Sequence, residues 1–269
     1  MAADYKCLIF ERRGDVARIT LNRPQAFNAL NVDAARELDA AARAVEHDLS
    51  VRCVLLRGAG KSFCAGGDVK SFHAHAVQGG EQGIEAYIEE VTVYLHRAIA
   101  RLVRCATPTV AAIQGSAAGG GMSLGLSCDF VLAAESARFT MAYTRIGLAP
   151  DGSSTYFLPR IIGMRKTLEL ALTNRGLSAQ EAEALGLINR VVPDDRLAAE
   201  AEALAAELAA GPTASFRKTK QLLHASVSNT LEAQLDLECR TISGLGRTHD
   251  GQEGIAAFVE KRKPAFTGV

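Results

Sequence analysis

The feature that most constrains this chain is a change in hydrophobic periodicity along its length. Up to about residue 195, short β-rich apolar runs alternate with helical stretches; beyond that point only helical patterns follow. Alternation of this kind points to an α/β core, and the helical remainder to a C-terminal appendage. Cys7 to Phe10 and Val16 to Leu21 read as a hairpin around Arg13-Gly14-Asp15. Asn31 is placed to cap a helix running towards Asp48, and Val51 to Arg57 reads as a short buried strand. A polar stretch with Gly79, Gly80 and Gly83 is expected to be the most mobile part of the chain. Val91, Tyr94, Leu95, Ala98, Ile99, Leu102 and Val103 then form one apolar helical stripe that Thr107-Pro108 ends. Thr109 to Ile113, Asp129 to Ala134, Arg138 to Met141 and Ile188 to Val192 read as further strands. Ser178 and Glu181 have capping-box spacing. Leu197 to Ala210 and three later segments read as helices, the last opened by Asp250 and stopped by Pro264.

Composition sets bounds on function. The 269 residues include 30 Lys+Arg against 30 Asp+Glu, a formal net charge of zero, which argues against a nucleic-acid or membrane-surface role based on bulk charge. No window approaches the roughly 18 apolar residues of a membrane span, and Met1 to Lys6 carries no apolar leader, so a cytoplasmic location is expected. None of the six cysteines forms a C-x-x-C pair or a zinc-ligand spacing, so they read as buried free thiols, with no metal site.

Two glycine-rich segments stand out. Ser62-Phe-Cys-Ala-Gly-Gly-Asp68 and Gly115-Ser-Ala-Ala-Gly-Gly-Gly121 each follow an expected strand. Glycine lets a backbone approach a ligand closely, and amides opening a helix favour negative charge. Each segment taken alone also fits a tight turn with close helix packing. The second lacks dinucleotide-binding spacing, because its third position is Ala117, and no Gly-Lys-Ser/Thr marks a P-loop.

Taken together, Phe63-Cys-Ala-Gly-Gly-Asp68, Ile113-Gln-Gly-Ser-Ala-Ala-Gly-Gly-Gly121, Cys128-Asp129, Gly147-Leu-Ala-Pro-Asp-Gly152 and Phe258-Val-Glu-Lys-Arg-Lys263 resemble the enoyl-CoA hydratase/isomerase (crotonase) superfamily in order and spacing. The resemblance implies an α/β spiral core of ββα units over residues 1–195 and a helical oligomerisation region over 196–269. It also implies a homotrimer or dimer of trimers, and an acyl-CoA thioester substrate. No cofactor is expected to be bound permanently; coenzyme A comes as part of the substrate. The backbone N–H groups of Gly67 and Gly120 would form an oxyanion hole. Ala26, Ala65, Gly66, Asp68, Val69, Gly119, Ser123 and Lys261 match substrate- or coenzyme A-binding positions.

The reaction is less constrained. Where hydratases of the family carry two glutamates, this chain has Ser123 and Tyr143, neither an ordinary acid or base at neutral pH. A carboxylate stands instead at Asp151, which on its own also fits a Pro-Asp-Gly turn. By resemblance to isomerases of the superfamily, Asp151 would be the base of a double-bond or ring isomerase. A narrower resemblance, through Ile161-Ile-Gly-Met-Arg-Lys166 and Leu172-Thr-Asn-Arg175, is to 4-chlorobenzoyl-CoA dehalogenase. That would make Asp151 a nucleophile and His96 a base for water, with Tyr143 where the relative has tryptophan. His96 also fits a half-packed helix-shoulder residue. The missing glutamates leave open a non-catalytic acyl-CoA binder.

Overall fold

In the computed structural model, which describes residues 5–269, the first hairpin pairs β1 (Leu8–Arg13) with β2 (Val16–Leu21) across a left-handed Gly14 at φ 59°. Residues 1–4, where the N-terminal stretch begins, lie outside the described part. From β2 the sheet continues in parallel through β3 (Cys53–Gly58), β4 (Thr109–Ile113), β6 (Phe130–Ala134) and β9 (Arg190–Val192). A parallel neighbour requires a crossover, and helices provide it. The first crossover is α1 (Val32–His47), where the Asn31 side chain accepts the Ala34 amide as expected. The second is α2 (Val69–Arg104), which leads from β3 to β4. A smaller three-stranded sheet, β5 (Ser116–Ala118), β7 (Arg138–Thr140) and β8 (Leu177–Ser178), lies beside it. Short helices α3 (Gly120–Leu126), α4 (Ser154–Ile161), α5 (Met164–Thr173) and α6 (Ala179–Ala184) complete this half. The Ser178–Glu181 capping box is fully formed at α6.

Both faces of the large sheet are covered, which is why its strands read as nearly continuous apolar runs. Along β3, Val54 and Leu56 pack into the cluster shared with α1 and α2. Cys53 and Leu55 face the opposite cluster, closed by Leu197, Ala201, Ala205 and Ala209 of α7 (Leu197–Ala209). The first helix after residue 195 therefore serves the core. The remaining helices are α8 (Thr213–Ser226), α9 (Leu231–Leu245) and α10 (His249–Glu260).

One local expectation is given a shape and another is corrected. The polar stretch with Gly79, Gly80 and Gly83 is helical and belongs to α2; only Gly80, at φ 58° and ψ −149°, interrupts it. Its high polarity reflects an exposed helical face, with a break where glycine takes left-handed backbone at no steric cost. At α10 the cap is Thr248, whose hydroxyl accepts the Gly251 amide. Asp250 is instead buried and holds the C-terminus, accepting from the amides of Thr267 and Gly268 at 2.7 Å each. All six cysteines are free; burial pushes the Cys53, Cys64 and Cys128 thiols up to about 12, so they are inert at neutral pH.

Candidate active site

The two glycine-rich loops leave the carboxyl ends of the adjacent parallel strands β3 and β4, where α/β sheets present ligand crevices. They are tied to each other by a bridge between Cys64 and Ala117: Cys64 N–H donates to Ser116 O, and Ala118 N–H to Cys64 O, both at 3.0 Å. Glycine is required at this junction. Gly66 has φ 93°, and a Cβ on it would lie 2.7 Å from Ala118 O. On Gly121 it would lie 2.4 Å from Cys64 O.

Beside the junction opens a cavity of about 300 Å³. Its glycine wall is Ala65, Gly66, Gly67, Gly119 and Gly120; its apolar wall comes from Leu30, Val69, Phe72, Ile88, Val91, Leu95 and Leu148. The Gly67 amide meets no acceptor among the described residues. The strand-like bridge there runs from Leu30 N–H to Gly66 O and from Asp68 N–H to Leu30 O, so the Gly67 N–H points away from it. Gly120 opens α3, so its amide has no intrahelical partner either. Two backbone donors without acceptors thus line one small cavity.

Asp151 enters from the turn after Ala149-Pro150 and is the one carboxylate among the described lining residues. Its Oδ1 lies 3.9 Å from where a Cβ on Gly120 would stand. Tyr143 OH donates to that oxygen at 2.7 Å. Burial, and then the nearby Asp151 charge, push the Tyr143 phenol far up, so it remains a protonated donor. Ser123 Oγ lies behind, 3.1 Å from Tyr143 OH and 3.2 Å from Asp151 O. A Cβ on Gly152 would lie 2.9 Å from Ser123 Cβ, so the turn closes over the serine and leaves little room for a longer side chain there.

His96, on α2, reaches this turn. Its Nε2 accepts the Gly152 amide at 3.0 Å and lies 3.5 Å from Asp151 Oδ2. Gly152 (φ 59°) and Ser153 (φ 71°) are both left-handed, and for a non-glycine residue such as Ser153 this costs roughly 1–3 kcal/mol. The histidine contact holds a strained bend directly beside the carboxylate.

Of the residues singled out from the sequence, the fold brings Gly67, Gly120, Asp151, Tyr143 and His96 together, with Ala65, Gly66, Val69 and Gly119 in the same cavity wall. Asp68 does not line it. It caps α2 by accepting the Ser71 amide and pairs with Arg23 at 3.0 Å, bracing the loop from behind. Ser123 is buried behind the wall, while Ala26 and Lys261 are outside it, Lys261 exposed at the left-handed end of α10. Arg145, exposed at the cavity mouth, gave no signal in the sequence, being one of many scattered arginines. No group of three or more His, Cys, Asp or Glu side chains suited to a metal occurs among the described residues. No described helix is long and apolar enough to cross a membrane.

Residues 11–269 match the sequence profile of the family described as enoyl-CoA hydratase/isomerase. The chain belongs to that family. Its enoyl-CoA hydratase/isomerase relatives include a protein named "Probable enoyl-CoA hydratase" from Rhodobacter capsulatus, 41% identical over 98% of this chain and 99% of that one. Another is a 1,2-epoxyphenylacetyl-CoA isomerase from Escherichia coli, 39% identical over 94% and 95%. Among solved structures, an enoyl-CoA hydratase from Polaromonas superposes with a TM-score of 0.89 at 33% identity, covering 96% of this chain and 99% of that one. The fold is thus the crotonase fold of these enzymes, and the relatives' names span both hydration and isomerisation.

Proposed function

We propose that this family member is an acyl-CoA isomerase with Asp151 as its base. The observation that carries the reading is that, among the described residues, Asp151 is the one carboxylate in a cavity that also presents the free Gly67 and Gly120 amides. A thioester carbonyl seated on the two amides has its α carbon beside that carboxylate. Removing the α proton puts charge on the carbonyl oxygen, and the amides stabilise it; one such donor is worth about 2.7–4 kcal/mol of barrier. Asp151 then returns the proton to a different carbon, or the enolate rearranges a strained ring. A hydration would call for a second acid/base group, and Ser123 and Tyr143 stand where the superfamily resemblance places the two glutamates of typical hydratases. The apolar lining favours a hydrocarbon or aromatic acyl group, and the coenzyme A portion enters and leaves with the substrate.

The test is a panel of 3-enoyl, 2-enoyl, 1,2-epoxyphenylacetyl and 4-chlorobenzoyl thioesters of coenzyme A, assayed with native protein and Asp151→Asn. Isomerisation of a 3-enoyl or epoxy substrate, reduced about 10²–10⁴-fold in Asp151→Asn, is the expected outcome. Hydration of the 2-enoyl substrate as the fastest reaction overturns it. A second reading draws on the 3.5 Å between His96 Nε2 and Asp151 Oδ2: nucleophilic attack by Asp151, with His96 activating water. Under that reading, single-turnover trapping yields an acyl or aryl ester on Asp151; under isomerisation it yields none. Binding of every thioester with no turnover of any would identify a non-catalytic acyl-CoA binder.

A further inference from the structure

His96 has a second side. Its ring lines a cavity of about 790 Å³ behind the site, together with Ala100, Arg104, Ser153, Lys220 and His224. Asp151 lines the front cavity and not this one. The imidazole therefore stands between the carboxylate and a separate opening of the molecule. Its protonation pattern is set by geometry. The Gly152 amide can only donate, so Nε2 carries the lone pair and the proton of the neutral ring sits on Nδ1. The two carboxylate oxygens have different neighbours: Oδ1 accepts from Tyr143, leaving Oδ2, the oxygen that faces Nε2, to hold an added proton. Ser153, the next residue of the turn, also lines the rear cavity.

We propose that His96 is a proton relay linking Asp151 to the rear cavity, through which the proton taken from the substrate exchanges with solvent while the acyl group fills the front cavity. The proposal rests on Asp151 being the base. In the exchange, a C–H bond of the substrate breaks and its proton goes to Asp151 Oδ2. That proton passes to His96 Nε2, and the ring releases its Nδ1 proton to water in the rear cavity. The ring then turns about its Cβ–Cγ bond, the Nε2 proton exchanges with water of the rear cavity, and the ring turns back to pass the new proton to Asp151 while Nδ1 regains one from solvent, which restores every group. Nε2 must let go of the Gly152 amide to take the proton, which keeps the imidazolium short-lived. Arg104, Lys220 and His224 line the same rear cavity. Lys220 is itself paired with Asp129 at 2.6 Å. His96 is thus a positioning residue for the turn and a conduit for the proton.

The experiment is α-proton washout from phenylacetyl-CoA in D₂O, followed by mass spectrometry and compared with isomerisation of 3-hexenoyl-CoA. Three variants are used. Asp151→Asn tests the base. His96→Gln keeps an acceptor near the place of Nε2 but cannot relay a proton. Ala100→Leu obstructs the rear cavity from an exposed position one turn along α2. The native protein is expected to exchange readily. His96→Gln and Ala100→Leu should each exchange at least tenfold more slowly, and Ala100→Leu should isomerise within about threefold of native, because proton return within the site needs no relay. Exchange at the native rate in both variants overturns the relay, as does a native protein that isomerises without exchange. Retained washout and isomerisation in Asp151→Asn would instead remove the base assignment, and the relay with it.

Discussion

The glycines of the two loops serve different ends, and what a methyl group would meet at each one separates them. At Gly121 it would meet Cys64 O at 2.4 Å and Cys64 Cβ at 2.6 Å, parts of a buried loop that cannot move aside. Gly121→Ala should therefore cost roughly 1–3 kcal/mol or more through overpacking. At about 2–4 °C per kcal/mol this is a clear loss of melting temperature by calorimetry. At Gly67 the nearest atom is Phe72 Cζ at 2.7 Å, the far end of a side chain that lines the acyl cavity. Gly67→Ala should leave the melting temperature nearly unchanged while the displaced ring crowds the thioester. Since a misplacement of an ångström costs about 10²-fold, kcat/KM should fall by that order. If the two substitutions affect stability equally, the division between joining the loops and presenting an amide is wrong.

Between elements, a forked polar tie runs from β2 to α7. Arg18 is buried in the sheet and makes a forked pair with Glu202, which Arg57 also approaches at 3.6 Å. The Arg18 hydrogen bond holds the Glu202 carboxyl below its ordinary range against the opposing effect of burial. A depressed carboxylate adds stability that is fully present above its unfolded pKa, about 4.3, and is lost as pH falls through the lower folded value. Glu202→Gln should thus cost about 2 kcal/mol in urea unfolding at pH 7, less than a fully buried pair because Glu202 is partly exposed, with Arg18 left uncompensated. The gap to native protein should close below about pH 4; a gap independent of pH refutes the assignment. Elements were legible in the sequence where the signal is local: the Asn31 cap, the Ser178–Glu181 box and the buried run of β4 depend on near neighbours. Asp250 was misread because an acidic residue near a helix start suits a cap as well as it suits a clamp on residues 267 and 268. The contact between His96 and Gly152 joins residues 56 apart and leaves no local trace. The glycine segments could be paired from their joint spacing, but the orientation of their amides is a property of the folded loops.

At the scale of the molecule, the C-terminal helices are unfinished as a single chain. No residue of α9 is buried, yet Leu231, Leu235 and Ile242 recur near one face of that helix. On α10, Phe258 is 85% exposed and Val259 74%. Isolated exposed apolar residues are ordinary, but a helix with only half-buried residues, such as Leu237 and Leu245, gains little from packing within one chain. The resemblance read from the sequence implies three copies or a dimer of trimers, and a self-complementary apolar region of this kind is what such an assembly would cover. Sedimentation equilibrium of the native protein should give a mass of three or six chains. Leu235→Asp with Ile242→Asp places two carboxylates in the contact, where an unpaired charge is costly to bury. The double variant should sediment as a smaller species, with circular dichroism showing partial loss of helix confined to the C-terminal region. A native protein that sediments as a monomer, or a double variant that keeps the native mass, would show that these faces are not the contact between copies.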